Sequence, residues 1–143
     1  MVKIKFKLEG GELPSYATKG AAGFDIKTSI KEPYVINPGQ TCLLPTGLKV
    51  EVPKGYELQI RSRSGLALKH GLIILNAPGT IDSDYRGEIG LILHNTNDKA
   101  LKILPGSRLG QGVLKKSERA ELEVVKKFSK SERGEGGYGS TGV

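Results

Sequence analysis

Val2-Lys-Ile-Lys-Phe-Lys-Leu-Glu9 places an apolar residue at every second position, Val2, Ile4, Phe6 and Leu8, with Lys3, Lys5, Lys7 and Glu9 between them. A period of two belongs to a strand with one buried face and one wet face. Gly10-Gly11 ends it. Further strand candidates follow at 34–36, 42–50, 56–62, 72–75, 88–94, 101–104, 109–114 and 121–127, most of them separated by Gly, Pro or Asn/Asp. Many short strands at turn-bounded intervals make an all-β sandwich or barrel. Only one stretch reads as helix, Ser64-Gly-Leu-Ala-Leu-Lys-His70, with Ser64 as a good N-cap residue and Gly71 as its stop. Residues 115–123 are helix formers with almost no apolar face, so a loop or an edge strand is expected there.

The composition agrees. A chain of 143 residues fits one domain. Its 20 Gly and 7 Pro are too frequent and too evenly spread for a helical bundle. Lys+Arg number 22 against 15 Asp+Glu, a net charge of +7, which suits an anionic partner such as nucleic acid or phosphate. The single Cys42 forms no intramolecular disulfide and no multi-Cys zinc site. No apolar run is long enough to span a bilayer, and MVKIKFKLEG lacks the apolar region of a signal peptide. A soluble cytoplasmic protein with no membrane partner is expected.

Residues 128–143, FSKSERGEGGYGSTGV, differ in kind. They offer almost nothing to bury against the ordering entropy. The expected division is a β core at 1–127 and a flexible Gly-rich arm at 128–143. Gly134 to Thr141 nearly fits the phosphate-binding loop G-x-x-x-x-G-K-[ST], but Ser140 stands at the Lys position and no helix can follow. The physical point survives the failed match. Successive Gly amides converge on an anion, Ser140 and Thr141 add hydroxyls, Arg133 adds a fork, and Tyr138 is a plate for stacking on a base.

Two other stretches can carry chemistry. Arg61-Ser-Arg-Ser-Gly-Leu-Ala67 runs into the helix and reads equally as an anion site or as a cap with solvated arginines. Asn76-Ala-Pro-Gly-Thr-Ile-Asp-Ser-Asp-Tyr-Arg-Gly87 begins with a turn between two apolar stretches, hence a hairpin. In an extended segment Asp82 and Asp84 would share a face, where they could bind Mg²⁺ or position a water, or they are simply a charged loop. Tyr85 beside them can pack on a sugar. No zinc-deaminase signature and no G-x-S-x-G elbow is present, and His70 and His94 stand alone.

In order, the chain carries Ala21-Ala-Gly-Phe-Asp25-Ile, Arg63-Ser-Gly-Leu-Ala67, the Asn76–Gly87 stretch, Arg108-Leu-Gly-Gln111 and Arg133-Gly-Glu-Gly-Gly-Tyr-Gly-Ser-Thr-Gly142. This series resembles the five motifs of the trimeric dUTP diphosphatase (dUTPase) family. The resemblance implies a jelly-roll-like antiparallel β fold and a homotrimer. Each active site would be shared by three subunits, with the arm closing over a neighbour's site. It implies Mg²⁺-dependent hydrolysis of dUTP to dUMP and pyrophosphate, with the ion held mainly by the triphosphate and no direct protein ligand. That reaction keeps uracil out of DNA and supplies the thymidylate precursor, with no stable nucleic-acid partner.

The resemblance also implies roles. Asp82 would orient the water that attacks the α-phosphorus. Tyr85 would pack under the deoxyribose and leave no room for a 2′-hydroxyl. Asn76, with backbone near Gly79 and Ile81, would read uracil, whose O4 and N3 groups cytosine reverses. Arg63, Ser64, Gly65 and Gln111 would contact phosphate. Arg133, Ser140 and Thr141 would clamp the γ-phosphate, and Tyr138 would stack on uracil. Asp25 would support the site from behind through Mg²⁺-bound water. The chain departs from the family at Tyr138 for Phe, Ser62 for Pro, Ser107 for Asp and Gly110 for Ala. The related dCTP deaminases need a Glu where Ile92 stands. A basic module for single-stranded nucleic acid would show aromatic stripes, and a non-catalytic dUTP-binding regulator has no need of Asp82.

Overall fold

In the computed structural model, which describes residues 1–139, alternating apolar positions of the central strands become the inner faces of two sheets, while in the first stretch Ile4 and Phe6 are half-buried and Val2 and Leu8 are exposed. The elements are β1 (Lys5–Leu8), β2 (Phe24–Lys27), β3 (Tyr34–Ile36), β4 (Thr41–Glu51), β5 (Tyr56–Arg61), α1 (Ser64–His70), β6 (Leu72–Ile74), β7 (Gly79–Ile81), β8 (Glu88–Asn95), β9 (Leu101–Ile103) and β10 (Arg108–Lys116). One sheet runs β1-β4-β8-β6 and the other β2-β10-β5-β7, with β3-β9 as a two-stranded ribbon. Neighbours pair antiparallel throughout these sheets. This is the expected all-β sandwich of jelly-roll type, with its one short helix.

Period two is clearest on β8, where Ile89, Leu91 and Leu93 are fully buried and the residues between them are not. They join Ile26, Leu58, Ile60 and Leu109 in one core. The buried face of β8 ends on a polar residue, Asn95, which is fully buried and fully bonded. Its Nδ2 donates to the carbonyls of Ile36 at 3.0 Å and Lys99 at 2.8 Å, and its Oδ1 accepts the N–H of Asn97 at 2.9 Å. One side chain thus holds the β3 end and the loop before β9 to the main sandwich.

Four expectations are corrected. No strand forms at 121–127, where Leu122 and Val124 lie exposed. The adjacent Val124-Val125 breaks the alternation, and among the described residues the last hydrogen bond from this end to the sandwich is Ser117 N–H to the Gly55 carbonyl. β2 was not expected, although Phe24 and Ile26 are buried and alternate with the half-buried Asp25 and Lys27. The helix N-cap is Arg63, in extended conformation (φ −87°, ψ 126°), and Ser64 is the first helical residue. Gly71 does end the helix, in the left-handed region at φ 59°. The two stretches around Asn76–Gly79 do not pair as a hairpin. β6 pairs with β8 and β7 pairs with β5, so the turn carries the chain from one sheet to the other.

Replacing Asn95 by Ala strands the buried Ile36 carbonyl and takes a partner from the part-buried Lys99 carbonyl and Asn97 N–H. The expected loss is about 2–4 kcal/mol of unfolding free energy, measured by urea denaturation. A loss under about 0.5 kcal/mol would mean that these groups find other partners.

Candidate functional site

The sheet β2-β10-β5-β7 positions the first group of residues. Asp25 on β2 lies opposite Gln111 on β10, and Gln111 lies opposite Arg61 on β5. Past Arg61 the chain turns into α1, which brings Arg63 back over Asp25. Arg63 Nε is 3.0 Å from Asp25 Oδ1, and Arg108 Nη1 is 3.7 Å from Asp25 Oδ2. Arg63 Nη1 also donates to the Arg108 carbonyl at 2.9 Å. Gln111 Nε2 donates to the Ser62 carbonyl at 3.2 Å, while Ser62 Oγ accepts the Ile74 N–H at 2.8 Å. Ser64 and Gly65 are exposed at the helix start, where the first N–H groups have no intrahelical acceptor.

The result is one carboxylate between two guanidinium groups. Asp25 and Arg63 are about two-thirds buried, with side-chain exposures of 29% and 32%. A single carboxylate neutralises only one of the two charges. The rest of each fork is available to an anion, and both arginines line a cleft of about 450 Å³. Arg108 and Ser62 were not assigned roles from the sequence. Arg108 stood in a quoted motif and was the available signal. Ser62, where the resemblance has Pro, connects β6 to Gln111 through its hydroxyl and carbonyl. The departure at Gly110 is mild, since a Cβ there would sit 3.3 Å from Leu91 Cδ2 and 3.5 Å from Ile74 Cδ1.

The second group lies around the sheet crossing. Asn76 is exposed, and its Nδ2 lies 3.1 Å from where a Cβ on the buried Gly79 would stand, so the amide covers that backbone. Ile81 ends β7 half-buried, opposite Leu58. Asp82 then opens a turn, in which the Tyr85 N–H donates to the Asp82 carbonyl at 3.2 Å. Arg86 Nη1 closes the turn by donating to the carbonyls of Ser83 and Tyr85, each at 2.8 Å. The segment is therefore not extended, and the argument that Asp82 and Asp84 share a strand face does not hold. Both acids line an open cleft of about 760 Å³ with Lys54, Tyr56 and Arg119.

The structure keeps these two groups apart. Three strand spacings separate β2 from β7, roughly 14 Å at the usual spacing. Asp25 and Arg61 share one level of the sheet, and Leu58 and Ile81 the other, three residues along β5, which adds roughly 10 Å. In the arm, Arg133 Nε donates to the Gly136 carbonyl at 2.7 Å, and Tyr138 is fully exposed at φ 51°. Ser140 and Thr141 lie outside the described residues. Among the described residues, no three His, Cys, Asp or Glu side chains form a cluster able to hold a metal, and no helix is long and apolar enough to cross a membrane.

These features define an antiparallel β-sandwich protein with two arginines gathered on one carboxylate. The dUTPase family model matches residues 9–142. The chain is 57% identical over 136 residues to a deoxyuridine 5′-triphosphate nucleotidohydrolase of Chlamydia pneumoniae, covering 94% of this chain and 93% of that one. It is 53% identical over 135 residues to that of Treponema denticola, with 94% of each covered. Among solved structures, the dUTPase of Staphylococcus bacteriophage 80alpha with dUpNHpp superposes with a TM-score of 0.89 at 30% identity, over 99% of both chains. A variant dUTPase of phage phi11, described for its coordination of a structural Mg(II) ion, gives 0.80 at 25% identity, over 90% of this chain and 99% of that one. The chain belongs to the dUTPase family and is an enzyme of that family.

Gly23 leaves room for the Gln111 side chain. A Cβ there would come within 2.8 Å of Gln111 Oε1 and 3.1 Å of Val113 Cγ2. Gly23→Ala is expected to lower kcat/KM for dUTP on the order of ten- to a hundredfold through misplacement of Gln111. Steady-state kinetics beside a melting curve check this, and an unchanged kcat/KM would remove Gln111 from the site.

Proposed function

We propose that this enzyme hydrolyses dUTP to dUMP and pyrophosphate by water attack on the α-phosphorus. Its sites form in a homotrimer, each from three subunits. The observation that carries this reading is the separation of the Asp25–Arg63–Gln111 group from the Asp82–Tyr85 turn. Within one chain they are too far apart to act on the same phosphorus. Two copies can supply one group each, and the arm of a third, residues 128–143, can close over them. The relatives named as deoxyuridine 5′-triphosphate nucleotidohydrolases and the solved relative with dUpNHpp support the substrate.

In this reading the Asp82 carboxylate orients the attacking water and accepts its proton. A positioned base of this kind is worth about 10²–10⁴-fold. Arg63, Ser64, Gly65 and Gln111 hold the phosphates, and Asp25 aims the Arg63 fork at them. Phosphoryl transfer needs chiefly such positioning and charge neutralisation. Asn76 and the backbone at Gly79 and Ile81 read uracil, and Tyr85 lies against the deoxyribose. Arg133, Ser140 and Thr141 clamp the γ-phosphate while Tyr138 stacks on the base and helps to exclude water. Mg²⁺, held mainly by the triphosphate with Asp25 behind its waters, would supply charge neutralisation on the leaving pyrophosphate. The donor set fits that role, since Asp25 is already engaged by two arginines. The reaction belongs in the cytoplasm, where it keeps uracil out of DNA and supplies dUMP for thymidylate synthesis.

Offered dUTP, dCTP, dTTP and UTP separately with Mg²⁺, the protein should consume dUTP and yield dUMP and pyrophosphate in equal amounts. In ¹⁸O-water the label should enter dUMP, and label in pyrophosphate would refute attack at the α-phosphorus. Asp82→Asn should still bind dUTP and turn it over about 10²–10⁴-fold more slowly.

The shared site has its own test. Mixing inactive Arg63→Ala and Asp82→Asn subunits, with exchange, should restore about a quarter of wild-type turnover, because random assembly pairs the two intact groups at that frequency in a symmetric oligomer. No recovery after proven exchange would mean that each site lies within one chain. Removing residues 128–143 should leave a folded trimer with little activity.

A further inference from the structure

Tyr85 does not stand freely in its turn. Its phenol oxygen donates to the Glu88 carbonyl at 2.9 Å, which folds the side chain back along its own backbone. The phenol end fills the space where a side chain on residue 87 would stand. A Cβ on Gly87 would overlap the Tyr85 hydroxyl and Cζ, and would come within 2.9 Å of Cε2. The rest of the ring remains open, with the residue 43% exposed. The turn beneath it is closed by the Tyr85 N–H on Asp82 and by the Arg86 fork. The hydroxyl bond and the closed turn thus hold the ring against its own backbone while part of it stays open.

We propose that Gly87 is a specificity-determining residue for the sugar, acting through Tyr85. With no side chain at 87, the phenol lies down on the backbone and reaches the Glu88 carbonyl. That fixes the height of the ring beneath the sugar. A 2′-deoxy carbon fits against it, and a 2′-hydroxyl meets the ring. With a methyl group at 87 the phenol must leave the Glu88 carbonyl and the ring must move. The overlapping atoms are the far end of one side chain, so Tyr85 yields while the fold stays. Gly87 is thus a positioning residue that touches no substrate. The proposal rests on the reading above in which Tyr85 packs against deoxyribose.

The experiment measures kcat/KM for dUTP and UTP on wild type, Gly87→Ala, Tyr85→Phe, Tyr85→Ala and the double variant Gly87→Ala/Tyr85→Ala. Gly87→Ala should lower the dUTP-to-UTP preference by about ten- to a hundredfold, the scale of discrimination by one small group in a pocket. Tyr85→Phe keeps the ring and loses only the bond to Glu88, so it should fall between wild type and Gly87→Ala. In the Tyr85→Ala background, adding Gly87→Ala should leave the preference unchanged, since contacting residues couple. The proposal is overturned if the preference is intact in Gly87→Ala, or if the two substitutions act additively. Should Gly87→Ala fail to fold, an unchanged preference in Tyr85→Phe overturns it instead. A wild-type protein inert on dUTP would overturn the underlying reading, which the wild-type arm alone decides.

Discussion

The spacing of strands in a sheet is the constraint on which the rest depends. Neighbouring strands sit about 4.8 Å apart and cannot be compressed. The order β2-β10-β5-β7 therefore fixes Asp25 at one edge and Asp82 beyond the other. No side-chain rotation closes that gap. The fold could have placed its acids and arginines on adjacent strands, and it did so only for Asp25, Gln111 and Arg61. Two groups of polar residues therefore stand on opposite flanks of one sheet, and in the proposed reading a second copy of the chain brings them together. The exposed segment after Lys116 fits the same logic, since Leu122 and Val124 gain nothing from their own chain.

Electrostatics explains why the cradle is arranged around an acid. Two guanidinium groups brought together without a counter-ion would repel each other and turn away. Asp25, about two-thirds buried, draws both toward one point, and the Arg63 fork is also fixed by the Arg108 carbonyl. The pair keeps a surplus positive charge in a partly desolvated place, where an anion is attracted more strongly than at the open surface. In the proposed reading such an arrangement does more to hold phosphate than the net charge of +7, which is mostly screened at physiological salt. It also makes the arginines less mobile, which favours bidentate contact with phosphate.

Much of this was legible in the sequence, for identifiable reasons. Strands with a run of alternating residues, such as β8, announce themselves through period two, and the end of α1 is legible because Gly71 marks it, while its N-cap is not. β2 is the exception, since Phe24 and Ile26 alternate with Asp25 and Lys27 over four residues only and the stretch reads first as part of a motif. No strand forms at 121–127 because its apolar residues find no partner edge among the described residues. The motif residues could be named, yet their grouping could not. Nothing in the spacing of Arg63 and Arg108 says that one acid holds both, and nothing around Asn76 says that the turn joins two sheets instead of two paired strands. Register and sheet order decide those matters, and both emerge only when the core is packed.

Glu88 shows how packing and chemistry become one problem. The register of β4 against β8 slips between Pro45 and Lys49, which leaves the N–H groups of Thr46 and Gly47 outside the regular ladder. A Glu88 carboxylate oxygen accepts both, at 3.1 and 2.8 Å, and Thr46 Oγ1 donates to the Ile89 carbonyl at 2.5 Å. The irregularity is thereby satisfied on all sides, as buried polar backbone requires. The same residue presents its own carbonyl to Tyr85. The residue whose side chain repairs the slip therefore also anchors the aromatic ring beside Asp82. A change in β4 that let the bulge relax would shift Glu88, and with it Tyr85, without touching any residue of the site. Sequence reasoning could not have found this coupling, because it joins residues more than forty positions apart through one glutamate and is defined only by the slip in register.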